Sequence, residues 1–536
     1  MEEPTLSVVD PHGASAPVLG RRRALATLFG GVVGLTACTP GSADEAAGGA
    51  VDETSPDTIP SGADDYNANI PPIEGRDPEL HAVRRLTFGS TSADVERVRS
   101  MGLNAWLDEQ LDPDSLETNE LEERLLDAVP ELGQDTTTVL ADFRASGNAQ
   151  RLATALPSAT LYRHVHSPAQ LHERMVEFWS DHFNTPQTNP PSSAARIAMD
   201  REVFRPYALG RFDDLLVATA QSPAMLLYLD NFQSAVGAIN ENYARELLEL
   251  HTVGIDGGYN EADIVATARL LTGWAFNREL EFMFRPARHD RAHVSILGWD
   301  RPNVGTPLEH GVSFLRHLAQ LPQTARFVSR KLAVRFVADD PSDGIVNAMA
   351  DAWLANDSEI GPVIRAMVTH ADFADAPPKF NRPWDFMVQS LRSMQAEIDP
   401  EFGPRLGSVV GMVRDLGQVP FRYASPDGYP DSAAAWLNAG GLLARWNTAI
   451  QLADPGLPVN SVLRALPEAA AGSAATQVFE LFAQQLRQEP LSDDHLSLLG
   501  DLTGWGLDQV PDREALEEAT PYIAFTFLAH PTALFR

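Results

Sequence analysis

From about Asp77 onward the chain repeats apolar positions at spacings of three and four. Leu86, Val95, Val98, Leu103, Trp106, Leu107 and Leu111 open the series. That spacing places side chains on one face of an α-helix. The same pattern predicts helices over 170–184, 209–229, 240–254, 261–275, 308–319, 323–337, 343–355, 359–370, 383–397, 433–453 and 475–487, punctuated by Pro and Gly. One stretch breaks the period. Leu280 to Arg285 alternates with period two, and His293 to Gly298 alternates again after a polar turn. This predicts a small β-hairpin with Arg288-His289-Asp290-Arg291 at its tip. The expected fold is therefore mainly α, a large multi-helix globular domain over 77–536 with a small β-hairpin insertion. The Ala- and Gly-rich stretch 456–475 reads as a loop and a lobe boundary.

The first 76 residues follow another pattern. Arg21-Arg22-Arg23 precedes an apolar run from Ala24 to Ala37, which ends in Leu35-Thr36-Ala37-Cys38. The run is shorter than the roughly 20 residues a spanning helix needs. A charged start, a short apolar middle and a small-residue end predict an export signal over 1–38 with twin-arginine-like features. The ending resembles a lipobox, which would make Cys38 the lipidated residue. The expected location is the extracytoplasmic face of the cell membrane, held there through a lipid anchor. Residues 39–76 are rich in Gly, Ala, Ser, Pro and acids and read as a disordered acidic tether. No later apolar run is long enough to predict a membrane-spanning helix.

Charge and sulfur narrow the chemistry. The 536-residue chain carries a formal charge of -32, and its only lysines are Lys331 and Lys379. Nucleic acid is not an expected partner, because binding it needs a basic footprint. Cys38 is the sole cysteine. Beyond it, disulfides, thiolate nucleophiles and cysteine metal sites are excluded, so a metal would need His, Asp or Glu. The sequence holds no Gly-x-Ser-x-Gly elbow, P-loop, His-Glu-x-x-His or EF-hand loop.

Four polar segments stand out. In His172 to Phe183, Met175, Phe178, Trp179 and His182 share one helix face, while Glu173, Glu177 and Asp181 share another. His182 on the apolar face reads either as a hydrogen-bonded core histidine or as a ligand or base kept neutral by desolvation. The acidic face reads as solvated. In Asn240 to His251, Asn242, Arg245, Glu246 and Glu249 form a polar stripe. It fits a solvated ion-paired face, or a carboxylate pair held by Arg245 for a hard cation or acid–base work. Glu249 and His251 point about 200° apart on an ideal helix, so they do not chelate one ion unless the helix ends there. His289-Asp290 reads first as exposed loop polarity. His81 and Arg85, four apart, read as a capping or ion-pair element.

These segments, in this order, resemble the bacterial DUF1800 family of exported proteins of unknown function. The resemblance rests on His81 with Arg84-Arg85 and Phe88-Gly89, and on Glu173-Arg174, Phe178-Trp179 and His182-Phe183. Leu229-Asp230-Asn231 and the long block Asn240 to Thr252 follow, then Tyr259 with Asp263, Ala268-Arg269 and Leu271-Thr272-Gly273-Trp274. His289-Asp290, Leu297-Gly298, Thr324 to Phe327, Lys331-Leu332 and Asp427-Gly428-Tyr429-Pro430 complete it. The resemblance implies one shared polar site built from His182, Arg245, Glu246, Glu249, His251, His289 and Asp290. It also implies a neighbour of the DUF1501 type, a sulfatase- and phosphatase-like group, as partner or pathway companion. Where the family often has a lysine shortly after His-Asp, this chain has His293.

Two functions remain open. One is an extracytoplasmic, metal-dependent, hydrolase-like enzyme. Its divalent ion would be held by His182, Glu246 and Glu249, Arg245 would position carboxylates or substrate, and His289-Asp290 would close over the site. The other is a non-catalytic binding or scaffold lipoprotein of the cell envelope, whose polar motifs are buried ion pairs locking helices together.

Overall fold

Asp77 caps the first described helix. Its Oδ1 accepts the Leu80 N–H at 3.0 Å, and Pro78 takes the first helical position of Pro78–Leu86. The computed structural model describes residues 77–302, 304–398, 406–454, 457 and 461–536. The stretches read above as an export signal and a tether, with Cys38, lie outside the described residues. Helices follow one another through the chain, and two small antiparallel sheets interrupt them. The mainly α fold is as expected. Among the described residues, no helix is long and apolar enough to cross a membrane.

Most predicted helices appear close to their expected bounds, including Gln170–His182, Pro307–Ala319, Pro322–Phe336 and Asp343–Ala355. The 209–229 segment splits into Phe212–Gln221 and Pro223–Tyr228 because Pro223 lacks the N–H that would continue the ladder. The 240–254 segment starts as α-helix at Asn242–Glu246 and widens into a π-turn at Leu247–His251. Several helices escaped the pattern. Ala149–His166 and Arg513–Ala529 each carry an internal proline, Pro157 and Pro521, where the sequence reads as a break.

The β-hairpin forms with different partners from those expected. The 280–285 stretch pairs backward with the segment after Gly273, giving β1 (Trp274–Phe276) and β2 (Phe282–Phe284). The 293–298 stretch makes its own hairpin, β3 (Ser295–Ile296) with β4 (Trp299–Asp300). Leu297 and Gly298 both take positive φ, 46° and 81°, as a two-residue turn of the primed type requires. Gly273 is needed at the entry to β1, since a Cβ there would stand 2.7 Å from the Arg285 carbonyl at φ +82°. Asn231 fixes the same corner by donating to the Leu271 carbonyl at 3.2 Å.

Apolar side chains gather in two clusters. The first is built from residues between Ala82 and Ala376, including Met175, Phe178, Trp179, Leu332 and Phe336. The second joins Phe88 and residues 125–197 to the chain after Phe380, including Trp384, Met387, Val478 and Ile523. The two cores therefore meet along Gln170–His182 and Pro322–Phe336 on one side and Pro383–Ser393 on the other. The 456–475 stretch does not separate them. Its described part includes the Ser461–Ala469 helix, and Leu452 and Val478 on either side share the second cluster.

Candidate functional site

The apolar face of Gln170–His182 packs as its pattern dictates, with Met175, Phe178, Trp179 and His182 all buried. The acidic face departs from expectation. Glu173 is buried, Glu177 and Asp181 are half-buried, and all three meet arginines carried by other segments. Arg382 reaches Glu177 at 2.5 Å and Asp181 at 2.7 Å. Arg335 pairs with Glu177 and with Asp431 at 2.5 Å. Asp385 holds Arg174 at 2.6 Å and Arg536 at 2.8 Å. Four guanidiniums thus face four carboxylates at the junction of the two cores, and their formal charges cancel. Arg174 also stacks 4.7 Å over Phe88 of the second core and 5.7 Å over Phe336 of the first.

The electrostatics follow the geometry. Burial works against ionised Asp385, yet Arg536, Arg174 and Arg382 hold its carboxyl well below the usual range. Burial likewise opposes ionised Glu177, and Arg335 and Arg382 outweigh it. Asp181 goes the other way: burial pushes its carboxyl up despite Arg382 and Arg335, with Glu177 adding repulsion. The loop carrying Asp431 is pressed against the helix end. A Cβ on Gly428 would sit 2.3 Å from the Asp181 carbonyl oxygen, so only glycine fits, at φ +75°. Asn184 anchors that loop by donating to the Tyr423 and Ser425 carbonyls at 2.9 and 2.7 Å.

The two motif histidines are sealed in the first core. Nε2 of His182 donates to the His251 carbonyl at 3.0 Å, and its Nδ1 is buried without a hydrogen-bond partner. The rings of His182 and His251 lie 5.9 Å apart. Burial, then the Lys331 ammonium, depresses both imidazoles, His251 to about 3. Both are neutral at pH 7. The Leu247–His251 π-turn turns His251 inward while Glu249 stays at the surface, so these two face apart as the helix geometry predicts.

The stripe around Arg245 is at the surface. Arg245 bonds Glu261 at 2.7 Å and lies 3.6 Å from Glu249 and 3.7 Å from Glu241. Glu246 is half-buried; burial, then Glu249 and Asp427, pushes its carboxyl up. Among the described residues no three His, Cys, Asp or Glu side chains converge as a metal site. His182, Glu246 and Glu249 accordingly do not form a ligand set, because His182 points into the core and the two glutamates face outward.

His289-Asp290 is not at a hairpin tip. It follows the short Pro286–Arg288 turn, and His289 is buried against Phe284 with Nδ1 2.9 Å from the Thr272 carbonyl. The Asp290 backbone N–H donates to the Thr272 hydroxyl at 2.8 Å. The seven candidates therefore divide into a core pair (His182, His251), a surface stripe (Arg245, Glu246, Glu249) and a separate turn (His289, Asp290). At the start of the fold, His81 is also internal, with Nε2 2.8 Å from the Phe373 carbonyl, and Arg85 donates to the Val337 carbonyl at 2.9 Å.

Sequence reasoning passed over Arg335, Arg382, Asp385, Asp431 and Arg536. The visible signals were the i,i+3 pairs Arg174–Glu177 and Arg382–Asp385. It also passed over a cleft of about 660 Å³ that reaches Glu173, the neighbour of Arg174 in this lattice of four arginines and four carboxylates. Glu122, Arg163, Glu173, Asp200 and Arg205 line it, with Arg163 bonded to Glu122 and Arg205 to Glu173.

The site and fold define a helical protein in which the charges of the Gln170–His182 helix are paired at the junction of two cores. The chain belongs to the DUF1800 family, whose model, described as "Protein of unknown function (DUF1800)", matches residues 81–531. No curated protein and no solved structure matches it.

Proposed function

We propose that the protein is an exported lipoprotein, anchored through Cys38, that acts as a non-catalytic binding scaffold at the cell envelope. One observation carries this reading: the motif carboxylates Glu177 and Asp181 are neutralised by Arg335 and Arg382 between two cores, and the motif histidines are sealed. Groups paired in this way hold helices together, and little of their surface is left open to a substrate. The cleft next to the lattice supplies the concave, charged surface a binding protein needs. An exported DUF1501-type protein is the partner suggested by the family resemblance.

A second reading has its own observation. Glu246 is half-buried, and burial with Glu249 and Asp427 raises its carboxyl, as a general acid requires. Complementation of a deletion strain separates the two. A scaffold tolerates Glu246→Gln and Glu249→Gln so long as the melting temperature is kept. Loss of complementation at unchanged melting temperature would favour the enzyme. The anchor is tested separately: Cys38→Ala should move the protein from the membrane to the soluble fraction, and retention on the membrane would refute it.

A further inference from the structure

A second cleft, of about 380 Å³, opens beside the β3–β4 hairpin, and its charged lining is basic: Arg291, His293, Arg301 and His310. In a chain of net charge -32 this is a local reversal of sign. The hairpin builds it. Arg301 follows β4 directly, and its N–H bonds the Val294 carbonyl at 3.0 Å, which sets it beside the segment before β3 that carries Arg291 and His293.

Arg301 is held by neutral acceptors. Its guanidinium donates to Nε2 of His289, to Nδ1 of His310 at 3.3 Å, and to the Asp290 and Ala292 carbonyls. Arginine has no acceptor, so each of those ring nitrogens must be bare. The proton of His289 then sits on Nδ1, facing the Thr272 carbonyl, and that of His310 on Nε2, facing the Val304 carbonyl at 2.9 Å. Both imidazoles are neutral in this arrangement. No carboxylate lies within ion-pair distance of Arg301 among the described residues. The nearby acids are otherwise engaged: Asp290 accepts the Ala292 N–H at 2.8 Å and lies 4.0 Å from Arg269, and Glu309 accepts the Thr306 N–H at 2.6 Å. Arg291 and His293 are exposed and make no ion pair or hydrogen bond among the described residues. Asp290 partly offsets Arg301 without pairing with it, so the cleft presents one free guanidinium, Arg291, beside a partly offset one. Arg301 supplies charge with its donors already placed, and Arg291 supplies free donors.

We propose that this cleft binds a small molecule carrying a phosphate monoester. Two guanidiniums, neither in an ion pair among the described residues, match a dianionic tetrahedral oxyanion better than a single carboxylate, and a guanidinium fork engages such an oxyanion through two hydrogen bonds. The volume exceeds what a bare oxyanion fills and leaves room for the group it is attached to. His289 is thereby given a role as a positioning residue for Arg301.

The test is calorimetric titration of the protein at constant ionic strength with sodium phosphate, sodium sulfate, glycerol phosphate and acetate. Constant ionic strength removes screening as a cause of differences. Saturable binding of phosphate, sulfate or glycerol phosphate, with acetate weaker, is expected. Arg291→Gln should weaken it by roughly tenfold, the scale of one charge-assisted hydrogen bond. Arg291 is exposed and unpaired, so this variant should keep its melting temperature, and Arg513→Gln serves as the distant control. Co-sedimentation with phosphatidylcholine vesicles containing phosphatidic acid, if reduced by Arg291→Gln, would identify a lipid headgroup as the source of the same chemistry. Absence of saturable binding in every arm, or binding equal in Arg291→Gln and the unsubstituted protein, would overturn the proposal.

Discussion

Two charged helical segments look alike in sequence and behave oppositely in the fold. Glu173-Arg174…Glu177…Asp181 and Glu241…Arg245-Glu246…Glu249 both alternate acids with an arginine along one stripe. In the first, side chains are closed between two cores and face Arg335, Arg382 and Asp385. In the second, Arg245 and its glutamates pair at the surface. Helical periodicity establishes which residues share a face. It does not establish whether that face meets water or another element, because the arginines that cover Glu177 come from positions 158 and 205 residues away.

The sharpest break in this comparison is Arg382→Met. It removes the guanidinium paired with Asp181 and one of the three beside Glu177, and about 3–5 kcal/mol of stability should be lost, read by chemical denaturation. The next expected effect is at the loop contact. Gly428→Ala combines positive φ with a clash against the Asp181 carbonyl and should cost about 2 kcal/mol or more. Gly258→Ala also has positive φ, +81°, but no atom within 4 Å of its Cβ. It should cost only the backbone strain, about 1 kcal/mol.

Acid should also separate the regions. His164 and His166 are depressed by burial to about 4, and His251 by burial and Lys331 to about 3. In the unfolded chain they take protons near the ordinary imidazole value of ~6.5. The unfolded state therefore binds more protons between that value and the folded ones, and stability falls as pH drops through this window. Below the ordinary carboxylate range a second loss follows, as the depressed Glu177, Asp385 and Asp431 are forced to protonate. Asp181, whose carboxyl is raised, opposes this second loss. Melting temperature measured from pH 8 down to pH 3 should fall in two stages, and a flat profile would contradict the buried assignments. The smallest effect is expected at the surface stripe, where Arg245→Ala should change stability by no more than about 1 kcal/mol.

Much of this architecture was readable before any coordinates. The three-and-four spacing placed most helices between 170 and 393 close to their observed bounds, because apolar faces there are long and interrupted only at caps. Pro157 and Pro521 hid two helices, since a proline reads as a break even where packing carries the helix past it. The hairpin strands were found but wrongly paired: alternation marks a strand without naming its partner, and Gly273 and the Leu297-Gly298 turn decided the pairing. The site was less legible. Placing His182 on an apolar face was enough to foresee its burial. The acidic face of the same helix gave no sign of its partners, and Arg301, which organises His289, appeared in no motif.

The central claim is that the lattice around Glu177 is a structural lock between two cores, unlike the surface stripe. A double-mutant cycle of Glu177→Gln and Arg382→Met, measured by chemical denaturation, tests it most directly. A coupling energy of about 1–3 kcal/mol is predicted, against a few tenths of a kcal/mol at most for Arg245 with Glu249. Equal, near-zero coupling in the two pairs would contradict the account.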